Sequence, residues 1–333
     1  MIRRSRVGSR PADRPSLPTV IGLPDVQRAR HVITPHVRRT PLLSAGHLGE
    51  CVGARAWLKA ENLQRTGSFK VRGAVNAVAQ LDEEARRAGV VTFSAGNAAQ
   101  AIAYAGRAAG VSVVVAMPET APRTKIEAAR GYGAEVRLVA AAELVATAQR
   151  LVGEGRYMLH PFDDWDVIAG HGTLGLELLE DVPDADLVVV PVGGGGLISG
   201  VALAVKAVRP ATRVVGVQPE GAQAVRRALD AGHPVRIDPP KTVADGLTAP
   251  FCGDRNFEVI RRDVDDVVAV PDDVVVEGLR YLVTRARLVA EPAGAAAVGA
   301  LLGGAVRPAP GERVIAIVSG GNVDADRLAS MLA

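Results

Sequence analysis

Short runs of β-branched apolar residues alternate with alanine-rich stretches along almost the whole chain, and this alternation constrains the fold more than any other feature. Positions 90–93 (Val-Val-Thr-Phe) have the length and composition of a strand, Ser94-Ala95-Gly96-Asn97 that of a loop, and positions 98–109 that of a helix. A strand follows at 111–117, closed by Pro118, then a helix at 124–130, a strand at 135–139 and a helix at 141–152. The rhythm resumes with a strand at 187–190, a helix at 198–208 stopped by Pro210 and a strand at 214–217. Helices at 273–285 and 293–302 precede a last strand at 314–318. Strands joined through helices lie parallel, in sheets that the helices cover. Uninterrupted apolar strands such as Val188-Val189-Val190 suit a sheet buried on both faces. The predicted class is α/β, with two open, twisted, mostly parallel sheets flanked by helices.

Composition removes several function classes. The chain has 333 residues, enough for one large or two ordinary domains, and its 48% hydrophobic content excludes disorder. Its net charge is +3, but Arg3, Arg4, Arg6, Arg10 and Arg14 against Asp13 place +4 in the opening tail, so the remainder sums to −1. With only 3% aromatic residues there is no platform on which bases could stack, and nucleic acid is not an expected partner. Residues 1–19 are expected to form a disordered basic tail. No apolar run approaches the roughly 20 residues of a membrane span. Two cysteines, Cys51 and Cys252, exclude a disulfide scaffold and suit a reducing cytoplasm. The six histidines (His31, His36, His47, His160, His171 and His233) are scattered without metal-ligand spacing and are read as surface or packing residues. The adjacent Asp163 and Asp164 are read as a turn with a capping role.

In open α/β sheets, ligands sit beyond the carboxyl ends of strands, where loops meet helix N-termini. Three polar or glycine-rich loops hold such positions: Ser94 to Asn97, the tetraglycine Gly193, Gly194, Gly195 and Gly196, and Ser319-Gly320-Gly321-Asn322. Four glycines between a strand and a helix let the backbone approach a phosphate and aim N–H groups at it. The spacing is not GxGxxG and no GKS or GKT follows, which disfavours a dinucleotide or a nucleoside triphosphate. The chain has five lysines, and Lys70 stands in Ser68-Phe69-Lys70-Val71-Arg72-Gly73-Ala74 at the start of a helical pattern, with Ser68 as the expected cap. The positive end of a helix disfavours an ammonium ion and lowers its pKa, which suits a Schiff-base nucleophile.

These motifs occur in one order: Glu61-Asn62-Leu63-Gln64-Arg65-Thr66-Gly67 running into the Lys70 segment, then Ser94 to Gln100, the tetraglycine and Ser319 to Asn322. His160-Pro161-Phe162-Asp163-Asp164, Thr242-Val243-Ala244-Asp245-Gly246-Leu247 and Glu291-Pro292-Ala293-Gly294-Ala295 add to the pattern. From about Arg38 onward the chain resembles the threonine/serine dehydratase (ammonia-lyase) branch of the pyridoxal-phosphate enzymes with the tryptophan-synthase-β fold, fold type II.

The resemblance implies a large cofactor-binding domain from 20–87 and 163–333, a small mobile domain from 88–162, and pyridoxal 5'-phosphate in the cleft between them. It implies that Lys70 carries the cofactor and acts as base, that Phe69 packs on its ring and that Asn97 bonds its hydroxyl. The amides of Gly193, Gly194, Gly195 and Gly196 would hold the phosphate, and Ser319 would face the ring nitrogen. A hydroxyl there, instead of a carboxylate, leaves a weaker electron sink and favours prompt loss of a β-substituent. Ser94, Ala95, Gly96 and Asn97 would take the substrate carboxylate. The implied reaction is β-elimination of L-threonine or L-serine to a 2-oxo acid and ammonia, in a cytoplasmic homodimer or homotetramer.

Three departures narrow the resemblance. Ala98 stands where relatives often have His, and Ala95 stands where racemases place a second acid/base. Gln218 and Ala224 stand where racemase-like relatives hold a cation, so no metal is expected. The alternatives within the cofactor class are an amino-acid racemase and a lyase specialised for hydroxyaspartate or phenylserine. Outside it they are a nicotinamide oxidoreductase and a catalytically dead binding protein of the same fold.

Overall fold

A computed structural model describes residues 21–94 and 96–333; the expected tail and Ala95 lie outside the described residues. Ten strands form two sheets. The large sheet has the order β1-β2-β10-β7-β8-β9, from Leu42–Ser44 (β1), Arg55–Ala60 (β2), Arg313–Val318 (β10), Leu187–Pro191 (β7), Arg213–Pro219 (β8) and Asp266–Val270 (β9). The small sheet has the order β5-β4-β3-β6, from Glu135–Val139 (β5), Val113–Pro118 (β4), Val90–Phe93 (β3) and Tyr157–Met158 (β6). Only β1 runs antiparallel to its neighbour. The helices that carry or back the site are α1 (Lys70–Ala79), α2 (Asn97–Ala109), α3 (Arg123–Gly131), α4 (Trp165–Asp181), α5 (Gly196–Val208), α6 (Ala224–Ala231), α7 (Asp254–Asp263) and α8 (Pro292–Leu302). No described helix is long and apolar enough to cross a membrane.

The two faces of the large sheet follow from the period-2 geometry of its strands. Val188, Val190, Ile315 and Ile317 turn to one side and pack with Leu174 and Leu178 of α4 and Ile198 and Val201 of α5. Leu187, Val189, Ala316 and Val318 turn to the other and pack with α8 and with Leu279 and Leu282 of the helix Asp272–Thr284. Every residue of β7 is buried, as the apolar run required. Helices α4 and α5 cross closely because glycines line the contact: a Cβ on Gly200 would stand 2.4 Å from the Ile168 carbonyl oxygen, and one on Gly172 would stand 3.1 Å from the Gly200 carbonyl oxygen.

A buried ion network locks α1 to the end of β2 and to α4. The guanidinium of Arg72, fully buried, donates from Nε and Nη2 to both Glu61 oxygens at 2.8 Å. It also donates to Glu177 at 2.7 and 3.0 Å and to Thr173 Oγ1 at 3.3 Å. Lys59 Nζ lies 2.8 Å from Glu177 Oε2 and donates to the Thr40 carbonyl at 2.8 Å.

Three expectations change. The strand expected at 111–117 runs from Val113 to Pro118, and the helix expected from 141 begins with a 3₁₀ turn at Ala141–Glu143 before Leu144–Gly153. Ser68 does not cap α1: Phe69, with helical φ, holds the N-cap position, no side chain caps the helix, and Ser68 Oγ is buried without a partner. The backbone of Ser68 is committed to a bridge with Gly320, one residue before the N-cap position.

Candidate active site

The carboxyl ends of β7 and β10 are neighbours, so the tetraglycine and the Ser319 loop lie side by side, while the loop after β3 approaches from the other sheet. The Lys70 segment is fastened to the same place. Phe69 N–H donates to the Ser319 carbonyl at 3.1 Å, directly beside the Ser68–Gly320 bridge. Lys70 follows as the first residue of α1; its Nζ donates to the Pro161 carbonyl at 3.1 Å and stands 5.2 Å from the centre of the Phe69 ring. Part of the side chain remains open, yet its amine end is enclosed by protein, and that burial pushes the amine down to about 8. No carboxylate of a described residue pairs with it. Beside Lys70 lies a cavity of about 10 Å³, walled by Ala74, Ala98, Ile102, Leu159 and Val167 and closed by His160 and Pro161. It is mostly apolar and has room for about one water.

The tetraglycine is anchored through its carbonyls. Gly193 O accepts from Gln218 Nε2 at 3.3 Å, Gly194 O from Gly253 N–H at 3.2 Å and Asn256 Nδ2 at 3.0 Å, and Gly195 O from Ser199 N–H at 3.0 Å. The four amide N–H groups, by contrast, have no hydrogen bond to a described residue. Packing explains why the positions are glycine: a Cβ on Gly194 would stand 2.4 Å from the Phe162 ring, and Gly195 has φ +104°, in the left-handed region. The loop is thus held from behind with its donors free, at the N-terminus of α5, an arrangement that attracts an anion.

Asn97 opens α2 and reaches across to the large sheet. Its Nδ2 donates to Glu291 Oε1, and its Oδ1 accepts from Asn322 Nδ2 at 2.9 Å. Glu291 also receives Lys125 Nζ at 3.3 Å, and Lys125 bonds Asp245 Oδ2 at 2.9 Å. Burial raises the Glu291 carboxyl, with the Lys125 charge pulling it down and Asp245 pushing it up. For Lys125, burial acts downward, but Glu291 and Asp245 together raise it. A Cβ on Gly320 would stand 2.4 Å from Glu291 Oε1, so the Ser319 loop presses directly on this network. A Cβ on Gly96 would lie 3.5 Å from Lys125 Nζ. Ser94 Oγ accepts from Gly96 N–H at 3.1 Å, closing the loop on itself.

The remaining singled-out residues have structural partners. Asp164 caps α4 by accepting from Asp166 N–H at 2.8 Å. Asp163 accepts from three backbone amides at the start of α7, those of Asp254, Arg255 and Asn256, so both aspartates serve as caps. Gln218 bridges the Val192 and Gly193 carbonyls to Arg226 N–H in α6. Among the described residues no group of three His, Cys, Asp or Glu side chains converges as a metal site. His160 packs edge-on to Phe93 and Phe162, and burial followed by the Lys70 charge lowers it to about 4. His171 is buried, edge-on to Phe69 at 4.8 Å.

Phe69 and Lys70 are thus fastened beside Ser319 at the carboxyl ends of β7 and β10, where the four glycines also lie, and Asn97 reaches the same region from the small sheet through Glu291 and Asn322. Sequence reasoning did not single out Glu291, Lys125 or Asp245. Glu291 and Asp245 stood inside quoted motifs, whereas Lys125 had no local signal. A phosphate-bearing aldehyde fits the set: free amides for the phosphate, an amine without a carboxylate partner for the carbonyl carbon, and a buried hydroxyl at Ser68 that has no partner of its own.

Comparison with known proteins gives one family. Residues 33–320 match the family described as pyridoxal-phosphate dependent enzyme. The chain is 42% identical over 312 residues to the L-threonine ammonia-lyase of Thermotoga maritima, spanning 93% of this chain and 77% of that protein. It is 40% identical over 313 residues to the L-threo-3-hydroxyaspartate ammonia-lyase of Saccharomyces cerevisiae, spanning 92% and 95%. The structure of maize serine racemase superposes with a TM-score of 0.89 at 36% identity, covering 93% of this chain and 96% of the racemase.

Proposed function

The chain belongs to the family of pyridoxal-phosphate-dependent enzymes, and on that premise we propose that it deaminates L-threonine or L-serine by β-elimination, releasing a 2-oxo acid and ammonia. The observation that carries this reading is Lys70: a buried amine with no carboxylate partner, fixed at a helix start beside a loop of free amides. The family assignment removes the nicotinamide alternative. When bound, the cofactor supplies an electron sink that makes the substrate's Cα–H acidic.

The resemblance to the dehydratases supports the following roles. Lys70, lowered to about 8, is able to take the Cα proton near neutral pH. The amides of Gly193, Gly194, Gly195 and Gly196 would hold the phosphate, Phe69 would back the ring, and Asn97 and Ser319 would bind its hydroxyl and its nitrogen. Ser94, Ala95, Gly96 and Asn97 receive the substrate carboxylate at the start of α2. The β-hydroxyl leaves as water once protonated, and the remaining enamine takes up water to give the oxo acid and ammonia. Lys125 is already shared by Asp245 and Glu291, so a second substrate carboxylate would find no spare cation there. That supports a neutral β-substituent over hydroxyaspartate.

The contacts of Lys125 and Asn97 with Asp245 and Glu291 join the small sheet to the large one through polar groups. We also propose a small mobile domain over 88–162 against 20–87 and 163–333; besides these polar contacts the two share apolar packing, where Val71, Val75 and Val78 of α1 cluster with Ala99 and Ile102 of α2. We further place the enzyme in the cytoplasm as a homodimer or homotetramer, to be checked by sedimentation. The functional test is 2-oxo acid release from a panel of β-hydroxy amino acids, comparing threonine, serine, phenylserine and hydroxyaspartate. Full activity in a Lys70→Ala protein would remove the assignment, and faster turnover of hydroxyaspartate than of threonine would remove the substrate choice.

A further inference from the structure

His171 lies in the middle of α4, where that helix is wedged between α1 and α5. Its neighbours on both sides are contact points: a Cβ on Gly170 would stand 2.5 Å from the Arg72 carbonyl oxygen of α1, and one on Gly172 would stand 3.1 Å from the Gly200 carbonyl oxygen of α5. The imidazole therefore projects into the seam between the helix that starts with Lys70 and the helix that starts with Gly196. Its Nε2 lies so near α1 that a Cβ on Gly73 would stand 2.6 Å from it, and its ring meets Phe69 edge-on at 4.8 Å. Gly200 is one helical turn below Gly196, so the seam runs under the first turn of α5 and the free amides there.

This side chain has no exposed surface, and neither ring nitrogen has a hydrogen-bond partner. Burial, then the charge of Lys70 and that of Arg72, hold it well below the ordinary histidine range, while a contact with the Gly196 backbone, short of hydrogen-bond geometry, acts the other way. A neutral imidazole presents one donor and one acceptor, and burying either unpaired is costly. A leucine or phenylalanine would fill the space without that penalty. A buried polar group without a partner calls for a ligand or water that completes it. The ring's contact with the Gly196 backbone sets it next to the last of the four glycines whose amides are free.

We propose that His171 is a positioning residue for the phosphate end of the cofactor: it donates its ring N–H to the phosphate, directly or through one buried water, and thereby braces Phe69 and the start of α1. The inference rests on the tetraglycine as the phosphate site and adds to it a side chain from a third helix.

The test uses apoenzyme and holoenzyme of the full chain. Wild-type protein labelled with ¹⁵N-histidine is titrated with pyridoxal 5'-phosphate and, separately, with inorganic phosphate. A shift of the His171 ring-nitrogen resonances with both ligands supports the proposal, and unchanged resonances in the loaded protein overturn it, with no variant needed. His171→Phe is then compared with His171→Gln by cofactor titration and by the ³¹P resonance of bound cofactor. The expected result is a loss of affinity of about 10- to 100-fold in His171→Phe, equivalent to ~1.4–2.8 kcal/mol. A displaced ³¹P resonance and at least partial recovery in His171→Gln are expected with it. Equal dissociation constants and ³¹P shifts in wild type and His171→Phe would reduce the residue to packing. Failure of wild-type protein to take up the cofactor at all would overturn the phosphate site itself, an outcome distinct from uptake that leaves His171 unmoved.

Discussion

Replacing Arg72 by leucine tests whether the buried network, rather than the apolar core alone, holds the cofactor-bearing helix in place. Arg72 and Glu61 are both fully buried, and the two oxygens of Glu61 each take an Arg72 N–H at 2.8 Å. Without the guanidinium, Glu61 keeps only Thr40 and the more distant Lys59, while Glu177 keeps Lys59. Breaking a buried pair from one side costs about 3–5 kcal/mol, because a charge is left uncompensated. At ~2 °C per kcal/mol for a chain of this size, the midpoint of thermal unfolding should fall by roughly 6–10 °C. The effect has a pH signature. In the wild type, burial pushes the Glu61 carboxyl up, but the charge and hydrogen bonds of Arg72, with Thr40 and Lys59, hold it below the ordinary range. That stability is present above the unfolded carboxylate pKa and is lost as pH falls through the folded one. In Arg72→Leu the sign reverses: burial dominates, the folded pKa rises above the unfolded one, and acidification relieves the penalty. Urea unfolding at pH 5 and pH 8 should therefore show a smaller gap between variant and wild type at the lower pH. A variant within ~1 kcal/mol of wild type at pH 8, or a gap that does not change with pH, would refute the reasoning. Adding Glu61→Leu to the same chain should recover much of the loss, since paired replacement of buried ions by apolar residues is often neutral.

Cofactor uptake by apoenzyme should accelerate about tenfold per pH unit up to about 8 and then level off, because the attacking Lys70 amine must be unprotonated; rapid-mixing absorbance measures it, and a flat profile below that value would mean another step is limiting. Gly194→Ala should weaken cofactor binding and cost about 1–3 kcal/mol in urea unfolding, since its Cβ would stand 2.4 Å from the Phe162 ring. Asp163→Ala should cost about 1–2 kcal/mol, because three amides at the start of α7 lose their acceptor; thermal unfolding of the loaded enzyme checks it, and a change below ~0.3 kcal/mol would mean water replaces the carboxylate freely. Treatment with a chelator should leave oxo-acid release unchanged, as the Gln218 amide already bridges α6 to the Gly193 carbonyl; restoration of lost activity by Mg²⁺ would contradict this.

Much of the architecture was legible because the strands declare themselves. Val90–Phe93 and Glu135–Val139 occupy their expected positions, and β10 extends the expected 314–318 by one residue. The helix Trp165–Asp181 was not assigned from the sequence, although it is 17 residues long. Its buried residues run continuously from Val167 to Leu179, so it has no polar stripe to reveal a period. The tetraglycine and Lys70 were legible because their chemistry is local to a few consecutive residues. Glu291, Asp245 and Lys125 meet only through tertiary packing, and a lysine at position 125 looks in sequence like any solvated one. Ser68 shows the opposite failure: a residue type that caps helices was diverted by a bridge to Gly320, more than two hundred positions away.

The strand that leads into Ser319 is the last of the ten to be synthesised, yet it belongs in the middle of the large sheet, pairing Arg313 with Arg55 on one side and Val314 with Leu187 on the other. Until it leaves the ribosome, β2 and β7 each present an unpaired edge, and Phe69 N–H lacks the Ser319 carbonyl that fixes it. Lys70 and the glycine loop are thus made before the strand that joins them, and until then the sheet has open edges of the kind that template aggregation.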